Sequence, residues 1–329
     1  MNERSLAVLD QYDVEIKEIF HGRGSYICRT DKGRKLLYPF NGSEEKASLL
    51  YKLQLKRKQS RDYFVDILMP TKEGGFVSED MFGNRFILKD WKECRECDIN
   101  DIYEISEAMK ALARFHKAFR LPQAPGTEGT FKVSGGTFSQ TVVKHNSEIA
   151  RTGRFIRNRN RKTGFEFLFL KVYEAFLDQG RAVEEHLHDA DFEKLKAECE
   201  NNGLFTHGDF SHHEVLIEER NAFIVHPERF QCGIQVEDMA HIMRKILEKC
   251  DWDITVGEKL LEAYNREKTI SGTELKYLKM RLLYPEKFWK LADHYYNSNK
   301  LWISERLEFK LEKVLEQEKR RQLFLEKVL

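Results

Sequence analysis

The segment from Thr206 to Ile217 contains residue types that phosphoryl transfer requires. Asp209 lies in a loop after His207, and the apolar residues that follow predict a short β-hairpin. In phosphoryl transfer, a loop Asp accepts the proton of the attacking hydroxyl. An Asn five residues later and an Asp at the end of the next strand hold metal ions. Glu214 and His226 stand at the latter two positions, so the predicted base is retained while both predicted metal ligands differ.

These two substitutions change the expected metal chemistry. Glu214 adds a methylene and a negative charge, and Mg²⁺ demands near-ideal octahedral oxygen geometry, so this longer anionic ligand need not restore magnesium binding. The imidazole of His226 suits zinc or another transition metal better than Mg²⁺. An alternative hypothesis is therefore a transition-metal site made of Glu214, His226 and one of His212 or His213.

Composition indicates a globular protein with no global attraction to polyanions. Its 329 residues are 41% hydrophobic, and 55 Lys and Arg against 54 Asp and Glu give a net charge of +1. No apolar run approaches the ~20 residues of a membrane span, and the polar start lacks a signal-peptide pattern. We therefore expect a protein made and kept in the cytoplasm, whose six cysteines, including Cys94 and Cys97, are thiols.

The periodicity of apolar residues predicts a sheet followed by helices. Five strands are predicted at 14–20, 26–30, 35–40, 75–79 and 85–90, with one helix inserted after Ser43. Further helices are predicted at about 102–119, 165–190, 236–249, 256–267, 271–282 and from Ser304. Residues 123–140 predict an exposed excursion, because they are rich in Gly, Ser and Thr. This order of elements predicts an α+β fold with a small antiparallel sheet and a larger helical part.

Four blocks of sequence resemble a known family. They are Leu88–Trp91 with Cys94–Asp98, Leu112–His116, His207–Asp209, and Tyr284–Trp289 with Tyr295–Ser298. The chain resembles the CotS-type spore coat kinase-like proteins, within the aminoglycoside phosphotransferase and choline kinase superfamily. The resemblance implies a bilobal protein-kinase-like fold, with a five-stranded antiparallel N-lobe at 1–91. The helical C-lobe would be 92–329, containing the catalytic-like loop 204–226 and the C-terminal helices.

The same resemblance implies roles for further residues. Tyr38 stands where the family has the lysine that contacts nucleotide phosphates, and it carries no positive charge. Lys35 is three residues earlier, so strand alternation places it on the opposite face. His207 and Asp238 would support the loop, and Trp91 would lie at the hinge. With the lysine and two metal ligands replaced, the resemblance implies a pseudokinase.

We therefore expect a noncatalytic structural or scaffolding protein of the spore coat. It would be made in the mother cell and deposited in the coat, with other coat proteins as partners, no cofactor, no nucleic acid and no membrane. Two alternatives stay open: an active ATP-dependent phosphotransferase with Mg²⁺ and unusual metal ligands, and a ligand-binding module without catalysis. The basic stretch 151–162 could bind an acidic partner or be a solvated helix face.

Overall fold

A computed structural model describes residues 7–22, 24–58, 66–122, 132–133, 138–297 and 305–329. The predicted excursion at 123–140 lies largely outside these residues, as do Arg23, Ser298 and Ser304. The chain packs into two compact units. The first unit comprises residues 1–122, 204–231 and 263–268, and the second comprises 123–203, 232–262 and 269–329. The boundary at residues 91 and 92 stays a prediction.

The first unit contains one antiparallel sheet. Its strands are β1 (Ile16–His21), β2 (Tyr26–Thr30), β3 (Gly33–Pro39), β4 (Leu68–Met69), β5 (Val77–Glu79) and β6 (Arg85–Asp90). The order is β1-β2-β3-β6-β4, and β5 also pairs with β6. All five predicted strands are present, and β4 is an addition that two residues are too few to reveal by alternation.

The register of β3 against β6 determines which side chains share a face of this sheet. Leu37 is paired with Leu88, and both are buried in a core with the short helical turn Ala7–Gln11. Leu36 is paired with Lys89 and Tyr38 with Ile87. Because side chains alternate along a strand, Tyr38 and Lys89 lie on the face opposite that core.

Helix α1 (Glu44–Lys58) follows β3 and packs through Ala47, Leu50 and Leu53. Ser43 accepts a hydrogen bond from the Lys46 backbone N–H, at 3.3 Å, which confirms the predicted cap. The carboxylate of Glu44 accepts the backbone N–H groups that lead into β5, at 2.8 and 2.9 Å. This acid therefore joins the helix to the sheet.

The rest of the first unit positions the catalytic-like loop. Helix α2 (Ile102–Ala118) begins at the cap Asp101 and ends where the sequence predicts. β7 (Arg95–Glu96), β9 (Val215–Glu218) and β10 (Asn221–Ile224) form a second antiparallel sheet, and the two short strands β8 (Phe205–Thr206) and β11 (Gln231–Cys232) pair with each other. The hairpin of β9 and β10 is the one predicted after Asp209.

Five of the eight remaining helices in the described ranges begin and end close to the predicted positions. They are α3 (Phe138–Arg157), α4 (Gly164–His186), α5 (Ala190–Asn201), α6 (Val236–Lys249), α7 (Ile254–Asn265), α8 (Gly272–Leu283), α9 (Glu286–Asn297) and α10 (Glu305–Lys327). No bounds were predicted for α3, α5 or α9, and α3 begins inside the predicted excursion. Its C-terminal turns carry part of the basic stretch, where Arg157 pairs with Glu174 at 2.9 Å.

The second unit is held by an aromatic core. Phe288 stacks on Phe169 and Phe176, with ring centroids 5.0 and 4.3 Å apart, and Tyr295 stacks on Phe165. The six cysteines are free thiols, as predicted. Across the described ranges, no helix is long and apolar enough to span a bilayer.

Candidate functional site

The loop around Asp209 is held by a glycine that no other residue could replace without strain. Gly208 has φ of +89°, and a Cβ there would lie 2.2 Å from the backbone oxygen of Arg229. The Asp209 carboxylate pairs with the guanidinium of Arg229, and its side chain is 45% exposed. The retained acid is therefore reachable by solvent, and an arginine already engages it.

His207 holds the start of this loop through a buried hydrogen bond to the backbone. Its side chain is buried, and its Nε2 donates to the backbone oxygen of Val225 at 2.8 Å, which fixes the tautomer. The ring packs against Phe115 and Phe210. A ring N–H held in this way orients the backbone of the loop. Asp238 is buried in the second unit, on α6, and its predicted bracing role stays a prediction.

A fully buried lysine forms the centre of the candidate site. Lys89 Nζ lies 3.0 Å from Asp66 Oδ2 and 3.0 Å from His226 Nδ1, and it also bonds Glu228 Oε1. The side chains of Lys89 and Asp66 have no exposed surface, and that of Glu228 is 6% exposed. We call these four residues the Lys89 cluster.

Three separate pieces of chain bring the cluster together. Lys89 comes from β6, and Asp66 stands two residues before β4, the neighbour of β6 in the sheet. His226 follows β10 with φ of 59° and ψ of 46°, a left-handed conformation that is uncommon for histidine. Its backbone N–H donates to Asp66 Oδ2 at 2.8 Å, and this bond fixes the turn that leads to Glu228.

The protonation of the cluster follows from burial and mutual attraction. Burial lowers the pKa of Lys89, but the carboxylates of Glu228 and Asp66 outweigh it and hold that pKa above its ordinary value. Burial likewise opposes ionisation of Glu228, yet the Lys89 ammonium keeps its pKa low. Burial, partly offset by the Lys89 ammonium, raises the pKa of Asp66 to about 6. Lys89 and Glu228 thus form a charged pair at neutral pH.

His226 is neutral in this setting. Burial, followed by the neighbouring Lys89 ammonium, lowers its pKa to about 3. Because Nδ1 accepts from Lys89, the proton of the neutral ring is on Nε2. The rings of Tyr38 and Trp91 lie against it, with centroids 5.0 and 5.6 Å away. Trp91, the predicted hinge residue, and Tyr38 therefore both contact the residue at the predicted metal-ligand position.

The predicted transition-metal set is not the group that the fold brings together. Among the described residues, Asp66, His226 and Glu228 place ligand atoms within 4.8 Å of one another. His213 instead contacts Glu96, 2.6 Å from its Nδ1. Carboxylates and imidazole suit a divalent cation, but the Lys89 ammonium bonds all three members of this group. The cation that these ligands hold is therefore a lysine side chain.

Glu214 lies close to the cluster without joining it. Burial, followed by the negative charges of Glu228 and Asp209, raises its pKa to about 7. Its Oε2 is buried and accepts no hydrogen bond from the described residues. Glu214, which stands where a neutral Asn amide was expected, is therefore partly protonated close to neutral pH.

The sequence reasoning did not single out Lys89, which is the lysine that shares a face of the sheet with Tyr38. Lys35, as predicted, faces away and pairs with Asp90 at 2.5 Å. Lys89 does lie on the same face as Tyr38, with its Nζ 4.9 Å from the centre of that ring. The register of β3 and β6 places Lys89 on the face of Tyr38, because Lys89 is the cross-strand partner of Leu36, two residues before Tyr38.

Comparisons of sequence place the chain among spore coat proteins. A family model described as spore coat putative kinase YutH matches residues 5–328. Spore coat protein S of Bacillus subtilis is 24% identical over 166 residues, which make up 50% of this chain and 47% of that protein. The chain therefore spans about half the length of this curated relative.

Solved structures share the fold. An aminoglycoside phosphotransferase from Alicyclobacillus acidocaldarius has a TM-score of 0.83 at 15% identity, covering 98% of this chain and 94% of that chain. A spectinomycin phosphotransferase bound to AMP has a TM-score of 0.62 at 12% identity, covering 99% and 98%. At such identity the likeness shows the fold alone. It confirms the predicted aminoglycoside phosphotransferase type, an antiparallel N-terminal sheet with a mostly helical remainder.

Proposed function

The chain belongs to the spore coat putative kinase YutH family, and we propose that it acts in the coat as a noncatalytic scaffold with a kinase-like fold. The family match supports its deposition in the spore coat, and other coat proteins are its proposed partners. The two folded units supply surfaces for these contacts. The proposal is that this chain does not catalyse phosphoryl transfer.

The state of Lys89 is the observation that supports this proposal. An ammonium has three N–H donors, and here Asp66, His226 and Glu228 take one each. No donor of Lys89 is left for a nucleotide phosphate. The same three partners are also the described group that could have held a metal ion.

The energetics favour keeping this arrangement. Phosphoryl transfer needs cations that bridge the β- and γ-phosphate oxygens and neutralise developing charge. To admit a metal ion, the Lys89 ammonium would have to leave a pocket in which its side chain has no exposed surface. Separating a buried pair costs about 3–5 kcal/mol. The proposed scaffold is thus stabilised by groups that an active site would need to free.

Genetic replacement in a spore-forming host tests the proposal. We expect Asp209→Asn to assemble into the coat and restore it as the wild-type chain does. In a noncatalytic protein, the Asp209 carboxylate does not take a proton from a substrate, so replacing it with an amide should not change function. The neutral amide keeps the shape of the loop side chain.

The matched control is Gly208→Ala, which strains the same loop by placing a Cβ against Arg229. We expect this variant to lose assembly together with stability. A folded, coat-located Asp209→Asn protein that behaves as the deletion does would overturn the proposal.

A further inference from the structure

The second unit contains a polar pocket that the proposed function does not use. Its volume is about 230 Å³, several times the ~30 Å³ share of one water molecule. Helices α3, α6, α8 and the start of α9 surround it. It is lined by Phe138, Thr141, His145, Glu237, His241, Arg281, Tyr284 and Glu286. We call it the second-unit pocket.

Four buried polar atoms in this lining lack a partner among the described residues. They are His145 Nδ1, His241 Nε2, Arg281 Nε and the Tyr284 hydroxyl. His145 is 9% exposed and Tyr284 is 2% exposed, so neither can turn to bulk water. A buried polar group without a hydrogen bond costs about 1–3 kcal/mol. Four such groups around one space are complementary to a ligand that can bond all of them.

The lining side chains are held in place before any ligand arrives. The His145 ring stacks on Trp289 at a centroid distance of 3.3 Å, and Trp289 in turn donates to Glu148 at 2.8 Å. The Arg281 guanidinium lies 4.0 Å from the centre of the Phe138 ring. Rings and cation are thus fixed by neighbours, which reduces the entropy lost on binding.

The lining contains two carboxylates and one guanidinium, and neighbours outside the lining engage both carboxylates. Burial lowers the pKa of His145, and burial together with Lys245 and Arg244 lowers that of His241 to about 4, so both rings are neutral. The two carboxylates have partners, since Glu286 pairs with Lys290 at 2.7 Å and Glu237 accepts from the Tyr277 hydroxyl.

These protonation states define the ligand chemistry. Arg281 Nε is a donor, and neutral imidazoles and a tyrosine hydroxyl can each donate or accept. Hydroxyl groups on the ligand would match that mixture. The carboxylates beside Arg281 disfavour an anion, and Arg281 disfavours a cation.

We propose that the second-unit pocket binds an uncharged, hydroxyl-rich ring of monosaccharide size. Its hydroxyl groups would bond Tyr284, Arg281 and the two histidines, while Phe138 provides an apolar wall. This inference does not depend on the proposed function, since it concerns binding without chemistry.

Calorimetric titration of the full chain with four compounds of matched size tests the inference. D-Glucose and myo-inositol are the uncharged probes, and the ring compounds D-glucuronate and D-glucosamine carry one negative and one positive charge. We expect at least one uncharged probe to bind, with either charged compound at least fivefold weaker. Tyr284→Phe should weaken that binding about tenfold, the loss of one buried hydrogen bond of roughly 1.4 kcal/mol.

Two controls separate binding from folding. Because the Tyr284 hydroxyl has no partner within the described protein, Tyr284→Phe should unfold at the wild-type temperature or above. Tyr103→Phe removes a hydroxyl from a 48% exposed side chain and should bind as the wild type does.

Three results would overturn the inference. They are no binding of either uncharged probe, which would mean a hydrated pocket only; tighter binding of a charged probe; and binding that Tyr284→Phe leaves unchanged. None of them bears on ATP turnover, so this inference and the proposed function can fail separately.

Discussion

Lys89 changes the interpretation of every other residue in the candidate site. A strand lysine beside a nucleotide would need free N–H donors, whereas this ammonium bonds Asp66, His226 and Glu228. The substitutions at Tyr38 and His226 are therefore structurally linked. The Tyr38 ring lies against both the Lys89 ammonium and the His226 ring. They line a packed ionic cluster.

Lys89→Met should be strongly destabilising. It keeps most of the aliphatic chain but leaves the Asp66 and Glu228 carboxylates buried without their cation. Removing one partner of a buried pair costs about 3–5 kcal/mol, so the free energy of unfolding in urea should fall by that amount. Excess Mn²⁺ should restore part of the loss, since Asp66, His226 and Glu228 offer suitable ligand atoms.

Lys35→Met is the matched control on the neighbouring strand. Its partner Asp90 is 49% exposed, so the carboxylate can be hydrated when the amine is removed. We expect a change within about 1 kcal/mol and no response to Mn²⁺. Equal losses in the two variants would mean that the cluster is not a special source of stability.

His226 should make the protein sensitive to acid. Its pKa falls from the ordinary value of about 6.5 to about 3 on folding, so below pH 6.5 the unfolded chain binds the proton more readily. Stability that is complete above pH 6.5 is therefore lost as the pH falls. Asp66 acts in the opposite direction, because its raised pKa makes stability fall as the pH rises toward 6.

His226→Asn isolates the histidine contribution. The amide stays neutral, and Asn tolerates the left-handed backbone. The difference in unfolding free energy between wild type and variant should shift by on the order of 2 kcal/mol from pH 7 to pH 4.5, to the disadvantage of the wild type. Parallel pH curves for the two proteins would contradict this assignment.

At the scale of elements, the sequence predicted the strands but not their register. Apolar alternation located β3 and β6, yet it did not say that Leu36 would face Lys89. That pairing brings Lys89 to the face of Tyr38, so alternation alone could not show that these two side chains meet. Asp66 was missed for a related reason, since it precedes a strand of two residues.

The helices show where local signals were sufficient. Asp101, Thr163 and Ser271 each cap a helix whose start the sequence predicted to within about two residues. Helix α5 was missed because its segment is rich in charge, with three of twelve residues buried apolar side chains. Its place depends on tertiary packing, which periodicity does not report.

The block around Trp289 that carries the family resemblance is structural. Phe288 has no exposed surface and stacks between Phe169 and Phe176. Phe288→Ala should lower the free energy of unfolding by about 3–5 kcal/mol in urea denaturation. Phe309→Ala on α10, where the side chain is 65% exposed, should change it by less than about 0.5 kcal/mol. A mild Phe288→Ala variant would argue against this core.

At the scale of the whole molecule, the fold was more predictable than the chemistry. The loop, the four blocks and the order of strands and helices all pointed to the kinase-like fold that the family model and the solved structures share. The activity depends on a few atoms of Lys89 and its partners. Their positions are set by contacts between residues up to 139 positions apart, and no local pattern encodes those contacts.

The most direct test of the account is phosphate release from Mg²⁺-ATP by the purified full-length protein, measured beside Asp209→Asn. We expect both proteins to release phosphate at the rate of buffer alone, because the Lys89 ammonium bonds Asp66, His226 and Glu228 and leaves no position for the metal ion. Turnover by the wild-type chain that Asp209→Asn abolishes would contradict the central claim.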